Sequence, residues 1–179
     1  MLSKRDIELK KELLDPLVFD YLSERKELNE FYDFFPDKEG FKNAMTSIEL
    51  EKYDRALLVD VLSEQSKRVK NTSAATEKNI QLLSKENTFT ITTGHQLCLF
   101  TGPLYFIYKI FSVINLCETL KKEFPGNNFV PVYWMASEDH DFEEMNHFNV
   151  FGKKVEWNST EKGAVGDFKT ESLSEIKIK

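Results

Sequence analysis

An apolar run, Phe129-Val130-Pro131-Val132-Tyr133-Trp134-Met135, ends abruptly in Ala136-Ser137-Glu138-Asp139-His140-Asp141-Phe142-Glu143-Glu144. A short run of aromatic and β-branched residues of this kind reads as a buried strand. A strand gains no packing energy from so acidic an end. A ligand site does, because open α/β sheets bind ligands beyond the carboxyl ends of their strands. Acidic residues also suit the first turn of a helix. One cap needs one carboxylate, however, and here Glu138, Asp139, Asp141, Glu143 and Glu144 crowd together.

A second segment has the same layout. Phe89-Thr90-Ile91-Thr92-Thr93 predicts a short strand running into a loop, Gly94-His95-Gln96. Leu97-Cys98-Leu99-Phe100-Thr101-Gly102-Pro103 follows, then a mostly apolar helix over 104–124. Pro103 suits the first helical position, where a missing N–H costs nothing. Ile107, Ile110, Phe111, Ile114, Cys117 and Leu120 are expected on the buried side. Lys109, Ser112, Asn115, Thr119 and Lys122 leave only a narrow polar stripe, so the helix should be covered on most of its circumference. Pro125-Gly126-Asn127-Asn128 stops it. The whole is one βαβ unit, right-handed by rule, with both histidine-bearing loops opening onto one crevice. A lone unit leaves sheet edges unpaired, so the core should be incomplete.

Residues 1–86 read as a helical region. Asp15-Pro16 opens one helix, and Phe31, Tyr32, Phe34 and Phe35 form an aromatic cluster before Pro36. Thr46-Ser47-Ile48-Glu49 fits a capping box for a helix carrying Leu50, Tyr53, Leu57, Leu58, Val61 and Leu62. Glu51 with Arg55, and Glu64 with Arg68, have i,i+4 spacing. A shorter helix is expected from Ala74 to Lys85. Residues 87–179 form the α/β part. In its tail, Lys153–Trp157 and Gly166–Lys169 are candidate short strands.

A hydrophobic content of 41% with 15 phenylalanines supports a dense core, and a net charge of −6 without a basic run argues against nucleic-acid or anionic-membrane partners. Two cysteines, Cys98 and Cys117, give neither a disulfide framework nor metal spacing. The first residues lack the apolar stretch of a signal peptide, and the cytoplasm is the expected location.

In the first loop the glycines allow close backbone approach to a ligand, and free N–H groups at the helix start would hold an anion. The alternative is a turn that merely needs glycine. The candidate substrate-binding residues are Gly94, His95, Gln96, Gly102, Pro103 and Tyr105, with Trp134, Glu138 and Glu143 in the second loop. His140, with Asp139 or Asp141, is the candidate catalytic group, since a histidine beside a carboxylate is a usable base near neutral pH. His140, Glu144 and His147 would share a helical face and suggest a metal-dependent hydrolase. The second Glu-x-x-His of a dinuclear site is absent, and no metal is assigned. Cys98 beside His95 has the makings of a nucleophile, although a free cysteine among Leu97, Leu99 and Phe100 is more simply a small hydrophobe. Neither a G-x-G-x-x-G nor a P-loop motif occurs.

Taken together, Thr93-Gly94-His95-Gln96, Leu99-Phe100-Thr101-Gly102-Pro103-Leu104-Tyr105 with Tyr108-Lys109, and Pro131 through Glu144 resemble the bacillithiol biosynthesis cysteine-adding enzymes, a family of cysteine ligases. Pro16-Leu17-Val18-Phe19-Asp20-Tyr21 and Phe34-Phe35-Pro36 look like that family's opening. The resemblance implies a Rossmann-like core joined to helical parts, and the coupling of L-cysteine to the amine of glucosaminyl-malate. It also implies that this chain corresponds to the N-terminal third of the family. Further strands, a coiled coil supporting a homodimer, and a site for ATP or ADP would belong to the rest. The family commonly has glutamine or proline where this chain has His95 and Cys98, which puts a catalytic role for either in doubt. A non-catalytic binding module that kept only the pocket is the remaining alternative.

Overall fold

The structure is a computed structural model that describes residues 11–49 and 53–176. The chain separates into two compact units, Met1–Tyr53 and Asp54–Lys179.

In the first unit, α1 (Pro16–Leu22) starts where the sequence places it. The Asp15 carboxylate accepts a hydrogen bond from the Leu17 amide at 2.9 Å, the usual service of an N-cap. A 3-10 turn, Lys26–Phe31, follows. It brings Tyr32 against Tyr21 and Phe35, with ring centroids 5.3 and 6.3 Å away. The next helix differs from expectation. Helix α2 spans Lys38–Glu49, so Thr46-Ser47-Ile48-Glu49 is its last turn and no capping box. The start is instead set by Asp37, which accepts from the Gly40 amide at 2.7 Å. Thr46 Oγ1 bonds back to the Lys42 carbonyl. Leu50 and Glu51, which were expected to begin the following helix, lie outside the described residues.

In the second unit, α3 (Arg55–Arg68) is capped by Asp54 and α4 (Ala74–Leu82) by Ser73. Arg55 donates to the carbonyls of Leu83 and Thr88 at 3.1 and 3.2 Å, tying the start of α3 to the end of α4 and the start of the sheet. Glu64 pairs with Lys67 at 3.4 Å and not with Arg68. Both side chains are exposed, so the pair adds little stability.

Strands β1 (Thr88–Gln96) and β2 (Asn128–Ala136) are parallel and in register from Thr88↔Asn128 to Gln96↔Ala136. Helix α5 (Leu104–Glu123) connects them, which is the expected βαβ unit. Alternating strand residues face opposite ways. On one face Val130 and Val132 meet Val59 and Leu62 of α3, Ile80 and Leu82 of α4, and Leu83 just beyond. Burying such side chains stabilises the packing by about 1.5–3 kcal/mol each. Helix α5 packs on both strands with Val113, Cys117 and Leu120 buried. Two expectations for α5 fail. Ile107 and Phe111 are exposed, as are Leu104, Tyr105 and Tyr108. Two strands are too narrow to cover more than one stripe of a 20-residue helix.

Beyond the sheet, a single turn of helix, α6 (Phe142–Met145), leads into an antiparallel hairpin, β3 (His147–Val150) and β4 (Lys153–Glu156). Its turn residues Phe151 and Gly152 both have positive φ, 49° and 75°, as a type I′ hairpin turn requires. The strand expected over Gly166–Lys169 does not form. Val165–Asp167 is a 3-10 turn whose amides are used elsewhere. The Val165 and Gly166 N–H groups donate to the carbonyls of Asp139 and Ser137, each at 2.8 Å. A Cβ on Gly166 would lie 2.7 Å from that of Ser137, so the approach needs glycine. Beneath this strap Leu99, Met145, Trp157 and Val165 form a buried cluster with Phe142, Phe148 and Phe168 packed on it.

Candidate active-site cleft

Gly94-His95-Gln96 do not form the expected loop. These residues are the last of β1, paired with Trp134-Met135-Ala136. Gly94 suits the place, since a Cβ there would come within 2.9 Å of the Trp134 carbonyl oxygen. The chain then turns through Phe100, Thr101 and Gly102, all with positive φ. At Gly102 (φ 51°) an added Cβ would also sit 2.7 Å from Cys98 Cβ. The glycine is therefore required by the turn itself.

This turn delivers Gly102, Pro103, Leu104 and Tyr105 to one wall of an open cleft of about 530 Å³. Glu144, His147, Phe148 and Asn149 contribute the opposite wall. No side chain caps the start of α5; the Phe106 amide donates to the Pro103 carbonyl at 3.0 Å, which leaves the amides of Leu104 and Tyr105 at the positive end of the helix dipole. A roomier apolar groove, about 620 Å³, lies among Leu17, Val18, Tyr21, Leu28, Phe31 and Tyr32 in the first unit. Its only polar side-chain groups are two phenols, too little to run acid–base chemistry.

Behind the first wall, His95 is held from both sides. Its Nδ1 lies 3.0 Å from the Gln96 carbonyl and its Nε2 lies 2.6 Å from the Tyr105 hydroxyl. A carbonyl only accepts, so Nδ1 carries the proton and Nε2 accepts from Tyr105. Cys98 Sγ sits 3.3 Å from the same Nδ1. Burial first, and then the charge of Glu144, push the Cys98 thiol above its ordinary value. A thiol held protonated is a poor nucleophile. The same two causes, again burial first, raise the Tyr105 phenol, with a smaller contribution from Cys98. Lys109 donates to the Gly94 carbonyl at 3.1 Å and stands 5.5 Å from the centre of the Tyr105 ring.

The second wall is joined to the first strand through Gln96. Its side-chain amide donates to the Glu144 carboxylate, while its Oε1 is buried without a hydrogen-bond partner among the described residues.

The acidic loop is arranged differently from the sequence expectation. The Asp139 carboxylate accepts from the Asp141 amide at 2.8 Å, and the Asp141 carboxylate caps α6 by accepting from the Glu144 amide at 3.2 Å. Neither is bonded to the His140 ring, which is exposed and has no side-chain hydrogen bond among the described residues. Trp134, 60% exposed, donates its indole N–H to Glu138 at 3.2 Å. Glu143 is exposed on α6. None of these six lines the cleft. His140, Glu144 and His147 do not share a helix face, because α6 ends at Met145 and His147 begins β3. Among the described residues no group of three or more His, Cys, Asp or Glu is placed to hold a metal ion.

Of the candidate substrate-binding residues, Gly102, Pro103 and Tyr105 line this cleft; Glu144 was expected as part of the acidic run and, with His147, as a metal ligand, and Lys109 on a narrow polar stripe. The i,i+4 spacing of Tyr105 and Lys109 on α5 was the available signal.

Residues 2–178 match a family described as "Bacillithiol biosynthesis BshC, N-terminal Rossmann-like domain". The chain is 55% identical over 164 residues to the "Putative cysteine ligase BshC" of Flavobacterium psychrophilum, covering 88% of this chain and 30% of that protein. It is 52% identical over 168 residues to the protein of the same name from Christiangramia forsetii, covering 90% and 31%. The corresponding Bacillus cereus protein is 37% identical over 140 residues, covering 78% and 26%. This chain thus spans about 30% of the length of its first relatives. It belongs to the bacillithiol biosynthesis BshC family and matches that family's N-terminal Rossmann-like domain.

Proposed function

We propose that this chain carries the substrate-binding part of a ligase that joins L-cysteine to the amine of glucosaminyl-malate. The observation that supports it is the cleft's two-sided chemistry. An uncapped helix start at Gly102–Leu104 faces a carboxylate and a histidine, Glu144 and His147. The malate carboxylates suit the first wall, where backbone N–H groups and the helix dipole favour anions. The relatives' name, putative cysteine ligase, supports the reaction class.

Amide formation links the amine nitrogen to the cysteine carboxyl carbon, breaks one C–O bond there so that the activated oxygen departs, and requires the nitrogen to shed a proton. His140 is the proposed acceptor. Its loop is ordered by Asp139 and Asp141, which accept from the Asp141 and Glu144 amides, and its ring is exposed. Glu138, bound to Trp134, and Glu143 stand at the same loop and would favour cationic groups nearby. The cysteine carboxylate also needs activation. No nucleotide motif occurs in this chain, so ATP or ADP is assigned to the remaining length of the relatives, as is homodimer contact. The reading places the reaction in the cytoplasm, where Cys98 and Cys117 stay as the free thiols seen here.

The test is calorimetric titration of the chain with glucosaminyl-malate, with mass spectrometry for the cysteinyl product in the presence of cysteine and ATP. Binding without product is expected. Absence of binding removes the reading. Product from this chain alone would move carboxylate activation onto these residues.

A further inference from the structure

Gln96 ends β1 with only 5% of its surface exposed. Its amide N–H donates to Glu144, which orients the group, since a carboxylate can only accept. The amide oxygen is thereby forced away from Glu144, and it is buried with no donor among the described residues. An unpaired buried acceptor costs free energy until a donor arrives. Glu144 itself is fixed at its backbone by the Asp141 cap and lines the cleft opposite Tyr105. No cation pairs with it among the described residues. Lys109, one turn beyond Tyr105 on α5, is engaged by the Gly94 carbonyl. The cleft thus presents a carboxylate held in place by the Gln96 amide and paired with no cation among the described residues.

We propose that Glu144 receives the α-ammonium of the amino-acid substrate and that Gln96 is its positioning residue. This deepens the ligase reading and rests on it for the identity of the amino acid. Of the two substrate amines, the cysteine ammonium is the one a carboxylate should hold. It is carried through the reaction unchanged, whereas the attacking amine must lose its proton, and a neighbouring carboxylate would oppose that loss. An ammonium brings three donors, enough to satisfy Glu144 and to reach a further acceptor.

The test compares L-cysteine with 3-mercaptopropionate, which has the same thiol and carboxylate but no amine. Both are titrated into the chain and into Glu144→Gln, Glu144→Asp and Gln96→Met variants whose folding is checked by circular dichroism. The unsubstituted chain should prefer cysteine by roughly tenfold to a hundredfold, the worth of a hydrogen bond to a charged group. Glu144→Gln should abolish the preference, Glu144→Asp should keep part of it, and Gln96→Met should reduce it. A merely structural role would weaken both ligands alike and leave their ratio unmoved. No preference in the unsubstituted chain, or a full preference in Glu144→Gln, overturns the proposal. Glucosaminyl-malate binding, measured in parallel on the unsubstituted chain, reports separately on the ligase reading.

Discussion

The Tyr105 hydroxyl lies 2.6 Å from His95 Nε2, so the first turn of α5 and the end of β1 share one proton donor across the base of the cleft. With Nδ1 committed to the Gln96 carbonyl, the two bonds hold the ring in one orientation. Tyr105→Phe removes that lock from a half-exposed position. Stability should fall by no more than about 1.5 kcal/mol, the range for one hydrogen bond. The ring nitrogen shifts in a long-range nitrogen–proton NMR spectrum should move from one tautomer toward a mixture. Unchanged shifts would show that the Gln96 carbonyl alone holds the ring.

Gly102→Ala should destabilise the chain by about 1–3 kcal/mol, the range for strained backbone. The new Cβ collides with Cys98 Cβ at 2.7 Å and with Sγ at 2.9 Å. Adding Cys98→Ala removes only the second clash, so the double variant should recover little of the melting temperature. Full recovery would place the strain in the thiol contact and not in the turn.

The two thiols should react differently with an alkylating reagent. Glu144 contributes to the raised Cys98 thiol, so Glu144→Gln should speed its modification at mildly alkaline pH, read by mass spectrometry. Burial remains the larger cause, so the acceleration should be partial.

Cys117 is pushed by burial from 9.0 to about 11. Its folded state holds the proton more tightly than the unfolded one, so unfolding releases a proton across that window. The stability this represents is complete below pH 9 and is lost as pH rises toward about 11. Cys117→Val should flatten the alkaline slope of a denaturation series. An unaltered slope would assign it to other groups.

Trp157→Ala should cost about 3–5 kcal/mol, as for large aromatics removed from a packed cluster. It should also release the strap, seen as faster hydrogen exchange at the Val165 and Gly166 amides, which donate to Asp139 and Ser137.

The βαβ unit was legible because its signals are local: β-branched runs, Pro103 and the Pro125-Gly126 stop. The ends of the elements were less so. Thr46-Ser47-Ile48-Glu49 has the composition of a helix start, yet Asp37 had already begun that helix, and a motif cannot show what precedes it. Gly94-His95-Gln96 looked like a loop because glycine breaks strands, while the pairing with Trp134 that makes glycine suitable is long-range. The acidic loop was legible as a cluster, but the sequence did not show that Asp139 and Asp141 accept from backbone amides and leave the His140 ring unbonded to either. Gln96 and Glu144, far apart in sequence, carry no shared pattern. Their meeting depends on how Phe142, Trp157 and Phe168 pack, with Phe142 5.0 Å from Trp157 and 5.2 Å from Phe168.

That strap has a bearing on synthesis. Ser137 and Asp139 are held by amides of residues 165 and 166, so the loop cannot reach its final shape when β2 has just formed. A nascent chain would emerge with β1 and β2 paired and the acidic segment still unset. Its setting waits until Trp157 and Phe168 have cleared the ribosome, some seconds of delay at about 5–20 residues per second. The order in which the chain is made therefore separates the pairing of β1 with β2 in time from the setting of the charged loop.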